Sequence, residues 1–128
     1  MNQRYLEDFT VGQRFGSGRL RVDKERRQLT VGFDDGASFS LTAELLRVMS
    51  PSAEVQGHSL KERVIVPGKK SVRILRIEPV GNYAARIVFD DGHDTGLYTW
   101  AYLRELSENK EQRFRDYLAE LTAKRLSR

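Results

Sequence analysis

The sequence predicts an α+β domain in which an antiparallel sheet is formed by two related hairpin–helix units and is covered by a C-terminal helix. Three observations lead to this prediction. A stretch of sequence occurs twice, each copy contains an Asp-Gly turn between apolar runs, and after each turn the apolar period lengthens from two residues to that of a helix. A length of 128 residues suits one domain with its own core.

The repeat organises the middle of the chain. Residues 29–36 read LTVGFDDG, and residues 85–92, 56 positions later, read ARIVFDDG. With one additional residue in the second copy, Leu46-Arg47 is matched by Leu103-Arg104. We therefore expect each unit to contain a strand, a tight turn, a second strand and a short helix.

The Asp-Gly pairs predict the two hairpins. Asp and Gly tolerate the positive φ that both central positions of a type I′ turn require, so the turns are expected to be of that type. The arms of the first hairpin are Leu29–Phe33 and Phe39–Leu41, and those of the second contain Ile87 and Phe89 before the turn and Leu97 after it.

Helical spacing follows each hairpin. Thr42 and Thr99 stand where an N-cap residue is expected, and Pro51 ends the first helix. Trp100 lies on the apolar stripe of the second helix, so we expect it in the core.

Two further elements complete the fold. Val72–Glu78 is predicted as a strand that Pro79 ends, and Gly81-Asn82 as the turn that leads into 84–89. The C-terminal helix is predicted over 109–126, with an apolar stripe of Phe114, Tyr117, Leu118 and Leu121.

The chain is expected to be a single domain over 1–128, with an arm at 1–28, the repeat region at 29–106 and the C-terminal helix at 107–128. Glu7 and Asp8 interrupt the region where a signal peptide would be apolar, and no apolar run is long enough for a membrane span, so we expect a cytoplasmic protein. The absence of Cys excludes disulfides, thiolate metal sites and thiol nucleophiles.

The net charge of +4 is unevenly distributed. Residues 61–80 hold six basic and two acidic side chains, and the basic ones run from Lys61 to Arg76. Such a cluster can attract phosphates or an acidic partner, but no aromatic residue interrupts it and no nucleic-acid motif accompanies it. A solvated strand face is the simpler interpretation, and nucleic acid is not expected as a partner.

The second Asp-Gly turn holds the residues best suited to chemistry. Asp91, His93 and Asp94 could bind a hard or borderline cation, with His58 as a further ligand. The structural alternative is that the carboxylates shape the turn and that His93 hydrogen-bonds within the hairpin.

The doubled unit resembles the gamma-butyrobetaine hydroxylase-like N-terminal domain over about residues 29–106. The resemblance is carried by the paired Phe-Asp-Asp-Gly turns, the segment LLRVMSPSAEVQGH and the segment GHDTGLYTWAYL. It implies a domain that precedes the oxygenase domain in carnitine-synthesis hydroxylases and follows the ATPase domain in iron–sulfur ATPases. Similar domains also occur as small free-standing bacterial proteins. In the hydroxylases it further implies zinc held by a Cys-x-Cys-x-x-Cys cluster and the histidine of the second hairpin.

This chain departs from that ligand pattern. The three cysteine positions are occupied by Ser50, Ser52 and Val55, and only His93 remains. Neutral hydroxyls and a valine do not replace thiolates around Zn²⁺, so we expect no zinc and no other cofactor.

We therefore expect a non-enzymatic accessory domain that binds a protein partner, linked through the resemblance to iron–sulfur or metallo-oxygenase metabolism. One alternative is a small metal-dependent enzyme that uses Asp91, His93 and Asp94. The other is an anion or nucleic-acid binder that uses Lys61 to Arg76. The sequence also leaves a homodimer open, formed through exposed strand edges. The candidate binding residues are His58, Lys69, Lys70, Arg73, His93 and Asp94, and no residue is assigned as catalytic.

Overall fold

The computed structural model describes residues 14–52 and 64–128. Its strands and helices, in chain order, are β1 (Arg14–Phe15), β2 (Gly18–Val22), β3 (Gln28–Phe33), β4 (Ser38–Thr42), α1 (Ala43–Val48), β5 (Ile74–Val80), β6 (Ala84–Phe89), β7 (Leu97–Thr99), α2 (Trp100–Glu108) and α3 (Lys110–Ala123). The predicted α+β class with a C-terminal helix is confirmed. In the described residues the strands form two antiparallel sheets, β1-β2-β3-β4 and β5-β6-β7, where the sequence had predicted one.

The first sheet includes part of the stretch that the sequence suggested was an arm. Strand β2 pairs with β3 along its whole length, from Gly18 opposite Phe33 to Val22 opposite Leu29. The alternation of β2 is complete, because Leu20 is buried while its neighbours Arg19 and Arg21 are exposed. One face of the sheet therefore contributes to the core and the other carries polar side chains.

Both Asp-Gly turns have the same geometry, but they are not of type I′. In the first turn Gly36 donates its N–H to the carbonyl of Phe33 at 3.0 Å, and Phe33 donates to Ala37 at 2.8 Å; the second turn repeats these bonds at 3.1 and 3.0 Å. Only the glycines have positive φ, 93° at Gly36 and 92° at Gly92. Each turn is therefore a three-residue loop, a type I turn followed by a left-handed glycine, and the prediction of type I′ was wrong.

The two units are joined by reciprocal ion pairs. Asp35 in the first turn pairs with Arg104 on α2 at 3.0 Å, and Asp91 in the second turn pairs with Arg47 on α1 at 2.7 Å. Since Arg47 and Arg104 are equivalent in the repeat, the turn of each unit contacts the helix of the other.

The helices begin where the sequence predicted. The hydroxyl of Thr42 accepts the N–H of Leu45 at 3.1 Å, and that of Thr99 accepts the N–H of Tyr102 at 3.0 Å, so both threonines are N-caps. Helix α3 is shorter than the predicted 109–126. Its stripe is buried at Tyr117 and Leu121 and half-buried at Phe114 and Leu118.

One prediction for the second sheet was wrong, and the placement of Leu97 in the strand after the second turn is confirmed. Pro79 lies inside β5, opposite Ala85, and does not end the strand. It is tolerated because β5 is at an edge of the sheet, where a missing N–H costs no ladder bond. Leu97 is exposed, whereas Tyr98 beside it is fully buried. The segment between the second turn and β7 is longer than the segment between the first turn and β4. Tyr98, and not Leu97, therefore occupies the position that faces the core.

One hydrophobic core contains buried side chains from both sheets and all three described helices. Trp100 belongs to it, as predicted, and lies 5.0 Å from the ring of Phe15 and 6.1 Å from that of Phe33 between centroids. Its indole N–H donates to the carbonyl of Asn82 at 3.2 Å. Among the described residues, no helix has the length and apolar character needed to cross a bilayer.

Candidate functional site

The second turn and the end of α1 meet in a buried polar cluster. His93 follows the left-handed glycine of the turn and is 8% exposed. Its Nε2 lies 2.9 Å from the hydroxyl of Ser50 and 3.4 Å from that of Ser52. The Ser50 hydroxyl also accepts the backbone N–H of Ser52 at 3.3 Å. The turn of the second unit is thus hydrogen-bonded to the segment that follows the helix of the first.

Gly96 allows these segments to approach each other. A Cβ at this position would lie 2.5 Å from the Ser50 hydroxyl and 3.1 Å from a ring carbon of Tyr98. Any side chain larger than a hydrogen would therefore push the hairpin away from Ser50.

Two tyrosines attach α2 and β7 to the end of α1. The hydroxyl of Tyr98 donates to the carbonyl of Leu46 at 2.5 Å, and that of Tyr102 donates to the carbonyl of Met49. Both carbonyls belong to the last turn of α1 or the residue after it, where a helix has no further N–H groups to offer them. Burial strongly raises the pKa of Tyr98, so its hydroxyl stays protonated.

Asp91 forms the charged margin of the cluster. Its Oδ2 lies 2.7 Å from Arg47 Nε and 2.7 Å from Lys69 Nζ, and its Oδ1 accepts the N–H of His93 at 3.1 Å. Burial alone would raise the pKa of this carboxyl. The hydrogen bonds from Lys69, His93 and Arg47 outweigh that effect and lower the pKa to about 2.

The structure brings three of the predicted binding residues to this turn. His93 is in the cluster, Lys69 pairs with Asp91, and the backbone N–H of Arg73 donates to Asp90 Oδ1 at 3.0 Å. Asp94 is near in sequence but belongs to another group of charges, because its carboxylate contacts Arg86 at 3.3 Å.

The other predicted binding residues are not part of the cluster. Lys70 is exposed to solvent. His58 lies outside the described residues, as does Val55.

Three residues that contribute contacts to this site were not selected from the sequence. Arg47 was visible only as half of the repeated Leu-Arg pair, which gave no indication that it reaches the other unit. Tyr98 and Tyr102 were quoted only within the segment that carries the family resemblance, and nothing in their spacing indicates that their hydroxyls bind the end of α1. These contacts are long-range, so no local pattern encodes them.

The residues gathered here do not fit the zinc that the resemblance implies. Ser50 and Ser52 provide neutral hydroxyls, which are weak ligands for Zn²⁺ compared with thiolates, and their hydrogen bonds are made to His93. Asp91 and Asp94 are paired with cations. Within residues 14–52 and 64–128, no three His, Asp or Glu side chains are grouped so as to hold a metal ion.

Comparison with known families identifies one match, which spans both units. The family model described as gamma-butyrobetaine hydroxylase-like, N-terminal, matches residues 20–104. The chain belongs to this family. The match includes both turns, α1 and most of β2, which pairs with the repeat region. No curated protein matches the chain.

Solved structures resemble this gamma-butyrobetaine hydroxylase-like domain over most of its length. One protein solved by NMR in solution is 45% identical, with a TM-score of 0.76 and coverage of 91% of each chain. A second NMR structure is 49% identical, also with a TM-score of 0.76, and covers 91% of this chain and 86% of the other. A crystal structure from Acidithiobacillus ferrooxidans, of a protein of unknown function in the DUF971 family, is 38% identical. Its TM-score is 0.59, and the match covers 71% of this chain and 91% of that one.

Proposed function

We propose that this chain is a non-catalytic accessory domain that acts by binding a protein partner. The observation that carries the proposal is that the polar side chains of the candidate site bind one another. His93 is paired with Ser50 and Ser52, and Asp91 with Arg47 and Lys69. A general base or a nucleophile must be able to reach a substrate atom, and these groups are directed to internal partners.

The outer face of the second sheet offers a suitable contact surface. We define it by Arg76, Glu78, Arg86 and Leu97. Glu78 accepts hydrogen bonds from Arg76 at 2.7 Å and from Arg86 at 2.6 Å, and Leu97, which is 40% exposed, lies directly opposite Arg86 in the register. Arginines held in place beside an exposed apolar side chain are typical of protein interfaces.

The hydrogen bonds of Glu78 keep this face ordered before a partner arrives. Hydrogen bonds from Arg76, and next from Arg86, lower the pKa of Glu78 even though partial burial alone would raise it, so the carboxylate stays charged. Ordered side chains lose less entropy on binding than mobile ones. We place the partner in iron–sulfur or metallo-oxygenase metabolism, because similar domains occur there.

The test is partner capture from native lysate, followed by measurement with purified proteins. We expect one defined partner, and we expect Leu97→Glu to weaken its binding about tenfold or more by placing a charge in the contact. Val64→Glu is the matched control, since Val64 is 48% exposed and lies outside the outer face. Recovery of chaperones alone, or equal binding by both variants, would contradict the proposal.

A second candidate function is binding of a polyanion, and it is favoured by the contact between the turn after β2 and the start of β5. Ile74 donates its N–H to the carbonyl of Arg26 at 2.8 Å, and the guanidinium of Arg26 donates to the carbonyl of Leu75 at 3.0 Å. These bonds bring the turn between β2 and β3 beside the start of β5. They add the exposed cations Lys24, Arg26 and Arg27 to Lys70 and Arg73.

Retention on heparin as a function of salt tests this second candidate. If the cluster binds phosphate or sulfate groups, Lys70→Ala with Arg73→Ala should reduce the salt slope by about one for each contact removed. Lys69 is left unchanged because its ion pair with Asp91 would confound the result. Elution at low salt, with no difference between variant and wild type, would exclude this candidate.

A further inference from the structure

A second polar feature lies in the groove between α3 and the strands β3 and β4. The groove has a volume of about 500 Å³, and Thr42, Glu44, Leu45, Lys110 and Phe114 are among its lining residues. Lys110 joins its two walls by donating to the carbonyl of Ser40 at 2.8 Å. The volume is within the range of ligand-binding pockets. None of the residues of the outer face lines it.

The floor of the groove contains a buried carboxylate. The side chain of Glu44 is 6% exposed, and both of its oxygens are bound by Arg128, at 3.1 Å from Nε and 2.8 Å from Nη2. The Arg128 guanidinium also lies 5.4 Å from the centre of the Phe114 ring. A bidentate carboxylate and an aromatic ring are the two groups that recognise a guanidinium most specifically.

The cation is more exposed than the carboxylate. Arg128 is 40% exposed and belongs to a segment after α3 that has no regular secondary structure. The segment leaves the helix through Arg125, whose φ of 57° is in the left-handed region that favours glycine. Beyond this helix end, the backbone of the segment is bound by the N–H of Gly68, which donates to Ser127 at 3.0 Å.

We propose that the Glu44–Phe114 groove is a binding site for an arginine side chain of a partner peptide, and that Arg128 occupies it until that peptide arrives. A buried carboxylate without a cation is strongly unfavourable, so the site favours a bound guanidinium. Arg128 meets this need within the chain, and its exposure and strained connection allow exchange for an arginine presented in a more extended segment. The rest of the groove has room for the neighbouring peptide residues.

The probe for this test is the acetylated and amidated peptide AKRLSR, which reproduces residues 123–128. We expect Arg128→Ala to bind it about tenfold or more tightly than wild type does, because the competing side chain has been removed. Replacing the last arginine of the peptide by citrulline, which has the same shape without the charge, should weaken binding by a similar factor. Glu44→Gln added to Arg128→Ala should remove this preference for arginine over citrulline.

Two further measurements, an NMR titration of the wild-type chain and its oligomeric state, cover misfolding of the variant and binding by a second copy. If Arg128→Ala does not fold, the wild-type chain is titrated with the peptide, and the NMR signal of Arg128 Nε–H should move to its solvent-exposed position. Equal binding of the arginine and citrulline peptides, or no gain in Arg128→Ala, would overturn the proposal. A wild-type dimer that dissociates in Arg128→Ala would also overturn it, by showing that the occupant is a second copy. Because the assay uses purified components, its failure is separate from failure of the outer-face interaction.

Discussion

Ser50 and Ser52 show how the substitution of a few atoms changes what holds a segment in place. Thiolates at these positions would bind a cation, and metal binding would then contribute directly to folding. Hydroxyls donate and accept hydrogen bonds instead, and here they reach His93 at 2.9 and 3.4 Å. The connection between the second turn and the end of α1 is retained by hydrogen bonding.

Introducing thiols at these positions should therefore create a metal site. We expect Ser50→Cys with Ser52→Cys to bind Co²⁺ or Zn²⁺ through two thiolates and His93, with a Co²⁺–thiolate absorption band as the readout. Adding His93→Ala should weaken the affinity at least about tenfold. The matched control is Ser38→Cys with Ser40→Cys, which has the same spacing on exposed positions of β4. Equal affinity of the two double variants would contradict this prediction.

Asp91 should make stability depend on acid pH. Its pKa in the folded chain is about 2, below the ordinary value of 3.8, so folding favours the charged form. The stabilisation is complete above about pH 4 and is lost as the pH falls toward about 2. Asp91→Asn should lower the free energy of unfolding by about 1–2 kcal/mol at neutral pH, allowing for solvent screening, and by much less at pH 2.

Asp35→Asn is the control for this measurement, because Asp35 occupies the same position in the first turn but is largely exposed. Its substitution should have a smaller effect. A loss of stability in Asp91→Asn that is the same at all pH values would show that the carboxylate does not act through its charge. Urea titrations at several pH values provide the data.

The sequence predicted individual residues unevenly. His93 was selected from its position after the turn, but its hydrogen bonds with Ser50 and Ser52 were not predicted. Arg47 was not selected, because its ion pair joins positions 44 residues apart. Short-range chemistry can be read from a sequence, whereas partners across the fold depend on packing.

At the scale of elements, Gly96 tests how closely the second hairpin must approach α1. We expect Gly96→Ala to destabilise the chain by about 1–3 kcal/mol, because the added Cβ would meet the Ser50 hydroxyl at 2.5 Å. Gly32→Ala is the control, since its Cβ would meet nothing within 4 Å, and we expect it to be neutral or slightly stabilising. Thermal unfolding of both variants measures the difference. Equal melting temperatures would contradict the close approach.

Element boundaries followed local signals where those signals were strong. Thr42 and Thr99 marked the starts of α1 and α2, because an N-cap acts on N–H groups only a few residues away. The turn type was wrong because Asp-Gly is compatible with both a two-residue and a three-residue loop. Only the cross-strand register, in which Phe33 donates to Ala37, distinguishes them.

The single core should make the whole molecule unfold as a unit. Trp100, the only tryptophan, contacts Phe15 and Phe33 of the first sheet. Its fluorescence should therefore change at the same urea concentration as far-UV circular dichroism. Ile87→Ala in the second sheet should shift both midpoints together, with a loss of about 2–5 kcal/mol, whereas Leu75→Ala at an exposed position should shift neither noticeably. Separate transitions would show that the two sheets are independent.

The division into two sheets was not predictable from the repeat alone. Each unit supplies a hairpin and a helix, but whether the hairpins join edge to edge depends on long-range packing. The two solution structures, each with a TM-score of 0.76, support the overall arrangement. The proposed partner and the proposed occupant of the groove would depend on surfaces, which local patterns describe poorly.

The reciprocal contacts between turns and helices have the form of an isologous interface, in which position i of one protomer meets position j of the other and the reverse. The sequence repeat makes Ser50 equivalent to Ser107 and His93 equivalent to Ala37. Within the described part of the chain, the buried hydroxyl of Ser107 has no hydrogen-bond partner. Its counterpart Ser50 binds His93, whereas the position equivalent to His93 in the first turn is Ala37, whose methyl group offers Ser107 no hydrogen bond.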